Sequence, residues 1–154
     1  MRLLRTLSQP KVLTPAEVEV LAARLEAFCH GRPILLLYLH GSHAQGTQTA
    51  MSDLDLAVLL ERGLSREGHL QLDLLAGLEE ACQRDDVDLV ILNRAGPIIR
   101  DRVVRHGRLV YAASDMEKVR FEAAAIKEGL DFGYFSRVYD EALFRQLAEG
   151  RWLD

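Results

Sequence analysis

The stretch HGSHAQGTQTAMSDLDLAV, residues 40–58, places Asp53 and Asp55 in a segment that otherwise has the apolar pattern of a buried strand. Carboxylates seldom occupy such a position without a partner, because a buried charge loses its hydration. Side chains alternate between the two faces of a strand, so these two aspartates project side by side from one face, and Leu54 and Leu56 point to the core face. We therefore expect a cation there. Oxygen ligands of this type suit Mg²⁺, which binds one or two carboxylates together with phosphates.

A second acidic strand follows in the segment DVDLVIL, residues 86–92. Asp86 and Asp88 share one face of this predicted strand, and the apolar side chains point the other way. If the two acidic strands are neighbours, one of these aspartates completes a three-carboxylate cluster. Asp88 is the better candidate because it lies further into the strand. Asp86 is expected to be a solvated turn residue.

Gly41 and Ser42 follow a short apolar run, residues 34–40, that predicts a strand covered on both faces. Exposed backbone N–H groups at such a turn favour anions, a serine hydroxyl adds a donor, and glycine permits close approach. A triphosphate bound here, with its metal on Asp53 and Asp55, would suit two-metal phosphoryl transfer. Each feature alone is common in ordinary turns and strand ends, and only their combination indicates a site.

The periodicity of the remaining sequence predicts an α/β (α+β) domain with a small mixed sheet flanked by helices. Leu70, Leu72, Leu75, Leu78 and Ala81 are the expected core positions of the helix over 65–82. The last helix has possible breaks at Gly129 and Gly133. The expected elements are a helix over 14–28 with a capping box, strands over 34–40 and 53–60, a helix over 65–82, a strand over 87–92, a helix over 97–105, a strand over 109–112 and a helix over 115–149.

The composition is that of an ordinary globular protein and suggests one domain over residues 1–154, with a core at about 15–113 and a C-terminal helical segment over 114–150. The net charge of −4 gives no sign of direct nucleic-acid binding, and the longest apolar run is too short to span a membrane. The N-terminus lacks the pattern of a secretory signal, so a cytoplasmic location is expected. Cys29 and Cys82 are expected to be reduced, packed thiols.

Gly41 and Ser42, followed after ten residues by Asp53-x-Asp55, resemble the signature of the nucleotidyltransferase superfamily that includes DNA polymerase beta. The fuller stretches LHGSHAQG, SDLDLAV and DVDLV are similar to its minimal nucleotidyltransferase (MNT) branch. The tail RFEAAAIKEGLDFGYF, residues 120–135, resembles the C-terminal helical segment of MntA-type antitoxins. The resemblance covers most of residues 15–148, and the tail is the softer, compositional part of it.

This resemblance implies a function and a set of site residues. Such antitoxins use ATP to transfer AMP to a tyrosine of a partner HEPN ribonuclease toxin, which silences the toxin. By the motif, Gly41 and Ser42 would bind the nucleotide phosphates, and Asp53 and Asp55 would bind two Mg²⁺ ions. Asp88 would be the third metal ligand and would help to deprotonate the incoming hydroxyl.

Two positions depart from the family pattern, which often has Arg or Tyr after Gly-Ser and a basic residue before the next glycine. Here His43 and Gln45 stand instead, so positive charge near the triphosphate would come from Arg62, Arg66 or the partner chain. His43 itself could contact phosphate or act in proton transfer, but a solvated loop histidine is the expectation.

Two other functions stay open on the sequence alone. The protein could neutralise its partner by docking without catalysis, or it could transfer a nucleotide to a small molecule such as an aminoglycoside. The aromatic residues near the C-terminus bear on the first of these, because they could serve either core packing or partner docking, with Trp152 as the best candidate for an exposed anchor. They are Tyr134, Phe135, Tyr139, Phe144 and Trp152.

Overall fold

The computed structural model describes residues 12–49, 52–64 and 68–148. In chain order its elements are α1 (Pro15–Cys29), β1 (Ile34–His40), α2 (Gly41–Gln45), β2 (Leu54–Leu60), α3 (Gly68–Cys82), β3 (Val87–Ile91), α4 (Pro97–His106), β4 (Arg108–Ala112) and α5 (Asp115–Ala148). The strands form one sheet in the order β3-β2-β1-β4. The predicted mixed sheet with flanking helices is therefore confirmed. None of the helices in the described ranges is long and apolar enough to cross a membrane.

Local sequence signals explain where the first elements begin and end. The Thr14 hydroxyl accepts a hydrogen bond from the Glu17 backbone N–H, and the Glu17 carboxylate accepts one from the Thr14 N–H, which is the predicted capping box. Pro15 occupies the first turn of α1, where no N–H is needed. The β1 strand follows after a tight turn and leads directly into the one-turn helix α2, which ends at Gly46 with a left-handed backbone (φ +70°).

The pairing of the strands brings the acidic segments together. β1 is antiparallel to β2, and β2 is parallel to β3. Both acidic strands are thus direct neighbours, as the sequence hypothesis required. Asp53 lies one residue before the start of β2, whereas Asp55 lies inside the ladder.

The sheet is covered on both faces. Alternate residues of β2 from Leu54 to Leu60 are buried in a cluster that α1 and α3 complete, as predicted. The opposite face also has a buried cluster, which includes Ala57, Tyr38 and Val103. The expectation of a single core face for β2 was therefore wrong, because α4 and α5 cover the second face beyond Asp55.

The α3 helix packs by a narrower face than its sequence suggested. Leu74 and Leu78, four residues apart, are buried on one side of the helix. Leu72, an expected core residue, is 68% exposed. The closely spaced leucines fit more than one helical face, and contact with α1 selects the face that contains Leu74. Residues 65–67 of the predicted helix lie outside the described residues.

The long α5 helix continues without a break through both of its glycines. Gly129 lies against α4, since a Cβ added there would come within 2.5 Å of the Asp101 Cβ, and the absent side chain therefore allows close helix packing. Beyond Gly133 the described side chains are exposed, and these include the aromatic residues that were candidates for core packing. Trp152 lies outside the described residues.

Candidate active site

Asp55 stands at the centre of a row that crosses three strands. It is the antiparallel partner of His40 on β1 and the parallel partner of Asp88 on β3. Residues in register on adjacent strands point to the same face, so the side chains of Asp55 and Asp88 are neighbours. The structure thus brings Asp88 beside Asp55, and the role of Asp88 as a third metal ligand stays a prediction.

Gly41 lies directly against the carboxylate of Asp55. Gly41 has φ +68°, and a Cβ added to it would lie 2.1 Å from Oδ2 and 2.9 Å from Cγ of Asp55. Only glycine can adopt this backbone conformation without strain and also leave room for the carboxylate. The glycine-serine turn and the Asp-x-Asp strand, which are ten residues apart in sequence, therefore form one site.

The electrostatic environment of Asp55 disfavours its ionised form. Burial raises the pKa of Asp55, and the neighbouring carboxylates of Asp88 and Asp53 raise it further. The imidazoles of His40 and His43 act in the opposite direction. A carboxylate that is partly desolvated and close to two others gains stability from a nearby cation.

Two histidines complete the inner wall of the site. Within the described residues, Nε2 of His40 and both ring nitrogens of His43 are buried without a hydrogen-bond partner. Burial lowers the pKa of both histidines, and the Arg84 guanidinium lowers that of His43 further, so the site disfavours the charged form of each imidazole. His43 is only 5% exposed. The expectation of a solvated loop histidine was wrong, because α2 packs against β1 and β2 and buries His43.

Asp86 has a separate role from that of Asp88. Arg84 forms a two-point ion pair with Asp86, with 2.6 Å between Nε and Oδ1, and also donates to the Ser52 carbonyl at 3.4 Å. The hydrogen bonds from Arg84 hold the pKa of Asp86 below its ordinary value. Asp86 thus helps to fix the turn before β3 and the approach to β2. It lies in the turn, as expected, but it is half-buried and ion-paired and is not the solvated residue that the sequence predicted.

Arg84 is the site residue that sequence reasoning missed. It is close enough to influence the titration of His43. The hydrogen bond to Asp86 is the main cause that raises the pKa of Arg84, and the charge of Asp53 also raises it. Its position places positive charge near the motif in which the usual basic residues are absent. The signal available in the sequence was an arginine two residues before the acidic strand, RDD at 84–86, in the turn that leads to the site. Of the expected sources of charge, Arg62 is exposed and Arg66 lies outside the described residues.

The donor set fits a magnesium ion that is also held by phosphate. Asp55 and Asp88 supply adjacent carboxylates, and Asp53 lies exposed at the start of β2. Among the described residues, no group of three His, Cys, Asp or Glu side chains forms a complete protein-only metal site. Magnesium rarely uses such a cage, since it keeps several waters and binds one or two carboxylates plus substrate phosphates. The arrangement is therefore chemically suited to Mg²⁺ that arrives with a nucleotide.

Comparison with known proteins agrees with this geometry. Residues 24–116, more than half of the chain, match the family described as Polymerase beta, Nucleotidyltransferase. The chain is 34% identical over 86 residues to the protein adenylyltransferase MntA of Shewanella oneidensis. That alignment covers 54% of this chain and 58% of the relative, so the chain spans little more than half the length of the curated protein it matches.

Solved structures share the fold. A toxin–antitoxin structure with AMP-PNP has a TM-score of 0.65 and 24% identity, with 80% of this chain and 98% of that chain covered. A tri-AMPylated HEPN toxin of Shewanella oneidensis in complex with an MNT antitoxin gives 0.63 and 20% identity, with coverage of 82% and 98%. At these identities the likeness shows the fold alone, and it extends beyond residue 116 into the helical segment.

Proposed function

The chain belongs to the polymerase beta nucleotidyltransferase family, and on that premise we propose that it transfers AMP from ATP to a tyrosine hydroxyl of a HEPN-type toxin. In this role the protein is the antitoxin of the pair, acts in the cytoplasm, and forms a single MNT domain over residues 1–154. The curated relative is an adenylyltransferase, and the HEPN toxin in the similar complex is AMPylated. These likenesses support the choice of nucleotide and partner.

One observation carries the proposal for this chain. The Asp55 carboxylate touches the position of Gly41 and stands in register with Asp88. A nucleotide whose phosphates contact the backbone of Gly41 and Ser42 therefore lies next to two carboxylates on adjacent strands. A phosphate-binding turn beside two carboxylates that can bind metal ions is what phosphoryl transfer between a triphosphate and a hydroxyl requires.

Asp53, Asp55 and Asp88 are the residues that would hold two Mg²⁺ ions. When bound, the ions would neutralise the triphosphate and the developing charge on the attacking and leaving oxygens. The raised pKa of Asp55 supports this assignment, since burial first and the neighbouring carboxylates next disfavour its charge in the absence of a cation. Each of the three aspartates offers only oxygen ligands, as Mg²⁺ prefers.

The protein's own groups orient the phosphates and accept the proton of the attacking hydroxyl. Backbone N–H groups at Gly41 and Ser42, together with the Ser42 hydroxyl, orient the phosphates. The acceptor oxygen attacks the α-phosphorus, the bond from that phosphorus to the oxygen bridging to the β-phosphate breaks, and pyrophosphate leaves. The hydroxyl proton passes to the carboxylate of Asp88, which lies on the outermost strand and is exposed. The products are a phosphodiester of AMP on the acceptor and pyrophosphate.

A second candidate function, neutralisation by docking alone, rests on the outer half of α5. Phe135 and Tyr139 are 68% and 69% exposed, and Tyr134 and Phe144 are exposed beside them. Aromatic side chains dominate the energetics of protein interfaces. This surface would bind the toxin in either candidate function, so its presence does not decide between them.

Intact-mass analysis of the toxin separates the two functions. The HEPN-type partner is incubated with this protein and Mg-ATP, and the double variant Asp53→Ala/Asp55→Ala provides the control. A mass gain of one or more AMP units that is absent with the variant supports catalysis. No gain, with a stable complex formed by both versions of the protein, contradicts AMP transfer and supports docking.

A further inference from the structure

A cavity of about 370 Å³ lies between α3 and β3, next to the candidate active site. Its lining includes Gln71, Leu72 and Leu75 of α3 together with Val87, Asp88 and Leu89 of β3. One wall is apolar, and Leu72 presents most of its side chain to solvent there. Asp88 belongs both to this lining and to the row through Asp55. The cavity therefore shares Asp88 with the site that the proposed function uses.

One wall of the cavity is the open edge of the sheet. In the described ranges β3 pairs only with β2, so its other side has no strand neighbour. Leu54 N–H donates to the Asp86 carbonyl at 2.9 Å, and Leu92 N–H donates to the Val58 carbonyl at 2.8 Å. Backbone groups alternate in direction along a strand, so residues 86, 88, 90 and 92 face β2. The N–H and C=O groups of Val87 and Leu89 therefore face away from β2, on the side where the cavity lies.

The polar residue of the α3 wall is held in one orientation. The Arg94 guanidinium donates to Oε1 of Gln71. The carboxamide N–H groups of Gln71 are thereby left to donate to a ligand, because its oxygen is already used. An exposed strand edge, an apolar wall and an amide donor together match an extended peptide better than a small apolar ligand.

We propose that this cavity binds an extended segment of the acceptor protein, which pairs with the outer edge of β3 as a fifth strand. The inference rests on the proposed AMP transfer and names how the acceptor is delivered. A residue of the added strand in register with Asp88 points to the same face as Asp88 and Asp55. Its hydroxyl is thereby presented to the proposed proton acceptor.

The same register predicts the sequence around the modified residue. The residues immediately before and after the hydroxyl-bearing one point to the opposite face, where Leu72, Leu75, Val87 and Leu89 lie. These flanking positions should therefore be apolar. The acceptor pattern is apolar, hydroxyl, apolar, and synthetic peptides with valine or with serine on both sides of a central tyrosine are suitable probes.

Steady-state kinetics with the HEPN-type partner provide the first arm of the test. Leu72→Glu places a charge on the apolar wall and should raise the KM for the acceptor about tenfold or more, with the KM for ATP unchanged. Val20→Glu on α1 is the matched control, because Val20 is also an exposed aliphatic residue of a helix, and it should change neither constant. An unchanged acceptor KM in Leu72→Glu overturns the proposal, and so does a raised KM for ATP, which would make the cavity part of the nucleotide site.

Amide hydrogen exchange of the complex provides the second arm and does not depend on turnover. The full chain with Asp53→Ala/Asp55→Ala is mixed with the HEPN-type partner, and with each of the two synthetic peptides. Slower exchange at the amides of Val87 and Leu89, and tighter binding of the valine-flanked peptide, support the added strand. Unprotected amides in a formed complex overturn it. If the wild-type chain transfers no AMP, the proposed function fails, and this exchange measurement still decides whether the edge of β3 binds the partner.

Discussion

A Cβ at Gly41 would lie 2.1 Å from Oδ2 of Asp55, and this contact joins the glycine-serine turn to the acidic strand. Gly41→Ala should therefore displace the Asp55 carboxylate and lower the rate of AMP transfer by about 100-fold, the loss that a displacement of about 1 Å can cause at a reacting centre. Gly46→Ala is the matched control. Gly46 has nearly the same φ of +70°, but an added Cβ meets nothing within 4 Å.

Both glycine variants should lose about 1 kcal/mol of stability from the left-handed backbone. Only Gly41→Ala should lose activity beyond the fraction that remains folded. Single-turnover transfer rates, compared with urea unfolding of the same preparations, measure the two effects separately. Equal activity of the two variants would contradict the contact between Gly41 and Asp55.

Asp55 should destabilise the fold at neutral pH in the absence of a cation. The folded-state pKa of Asp55 is raised above its ordinary value of 3.8, so the wild-type protein loses stability as pH rises through the interval between the two values. Asp55→Asn has no such loss. The variant should be inactive yet more stable than the wild type at pH 7 without Mg²⁺, and the difference should disappear as pH falls below 3.8. Thermal unfolding across pH tests this, and a variant less stable than wild type at pH 7 would refute it.

Asp86→Asn should have the opposite effect on stability. Arg84 lowers the folded-state pKa of Asp86, so this pair contributes stability above the ordinary carboxyl pKa that is lost as pH falls through the lowered value. Loss of the ion pair should cost about 1 kcal/mol at neutral pH, since both partners are partly exposed. Urea unfolding at pH 7 and in acid measures the change. A stability difference that grows as pH falls would contradict this assignment.

Gly129 and Gly133 of α5 should respond in opposite directions to alanine. A Cβ at Gly129 would lie 2.5 Å from the Asp101 Cβ on α4, whereas a Cβ at Gly133 meets nothing within 4 Å. Gly129→Ala should destabilise the protein by about 1–3 kcal/mol through forced separation of α4 and α5. Gly133→Ala should stabilise it by up to about 1 kcal/mol through helix propensity. Urea unfolding measures both, and equal effects would contradict the close packing of the two helices.

The two cysteines should resist modification until the protein unfolds. Both are buried and unpaired, and burial raises the pKa of each thiol to about 12. Thiolate is the reactive species, so a disulfide reagent at neutral pH should label neither cysteine in the native protein and both in guanidinium chloride. Rapid labelling of one thiol without denaturant would show that α1 or α3 packs less tightly than described.

The sequence predicted the elements well because most of them carry strong local signals. The capping box at Thr14 marks the start of α1, and the short apolar run of β1 predicts a buried strand. The alternation of residues likewise predicted that Leu54, Leu56 and the alternate residues after them share a buried face of β2. The motif of Gly-Ser followed by Asp-x-Asp identified Asp53 and Asp55 as candidate metal ligands before any contact was known.

Other features depend on tertiary packing that local sequence does not encode. The closely spaced leucines of α3 fit several helical faces, and only contact with α1 selects Leu74 over Leu72. A glycine inside a helix usually weakens it, but Gly129 is required by the approach of Asp101. The burial of His43 follows from the packing of α2 against β1 and β2, and the position of Arg84 follows from its bonds to Asp86 and the Ser52 carbonyl. No local pattern in these segments predicts either contact.

Transfer of label from ATP tests the central claim most directly. The HEPN-type partner is incubated with the wild-type protein, Mg²⁺ and ATP that carries radiolabel on either the α- or the γ-phosphate. Attack at the α-phosphorus predicts that the α-label becomes covalently attached to the partner and that the γ-label leaves as pyrophosphate, with neither result seen for Asp53→Ala/Asp55→Ala. Attachment of the γ-label to the partner, or attachment of the α-label by the double variant, would contradict nucleotidyl transfer at this site.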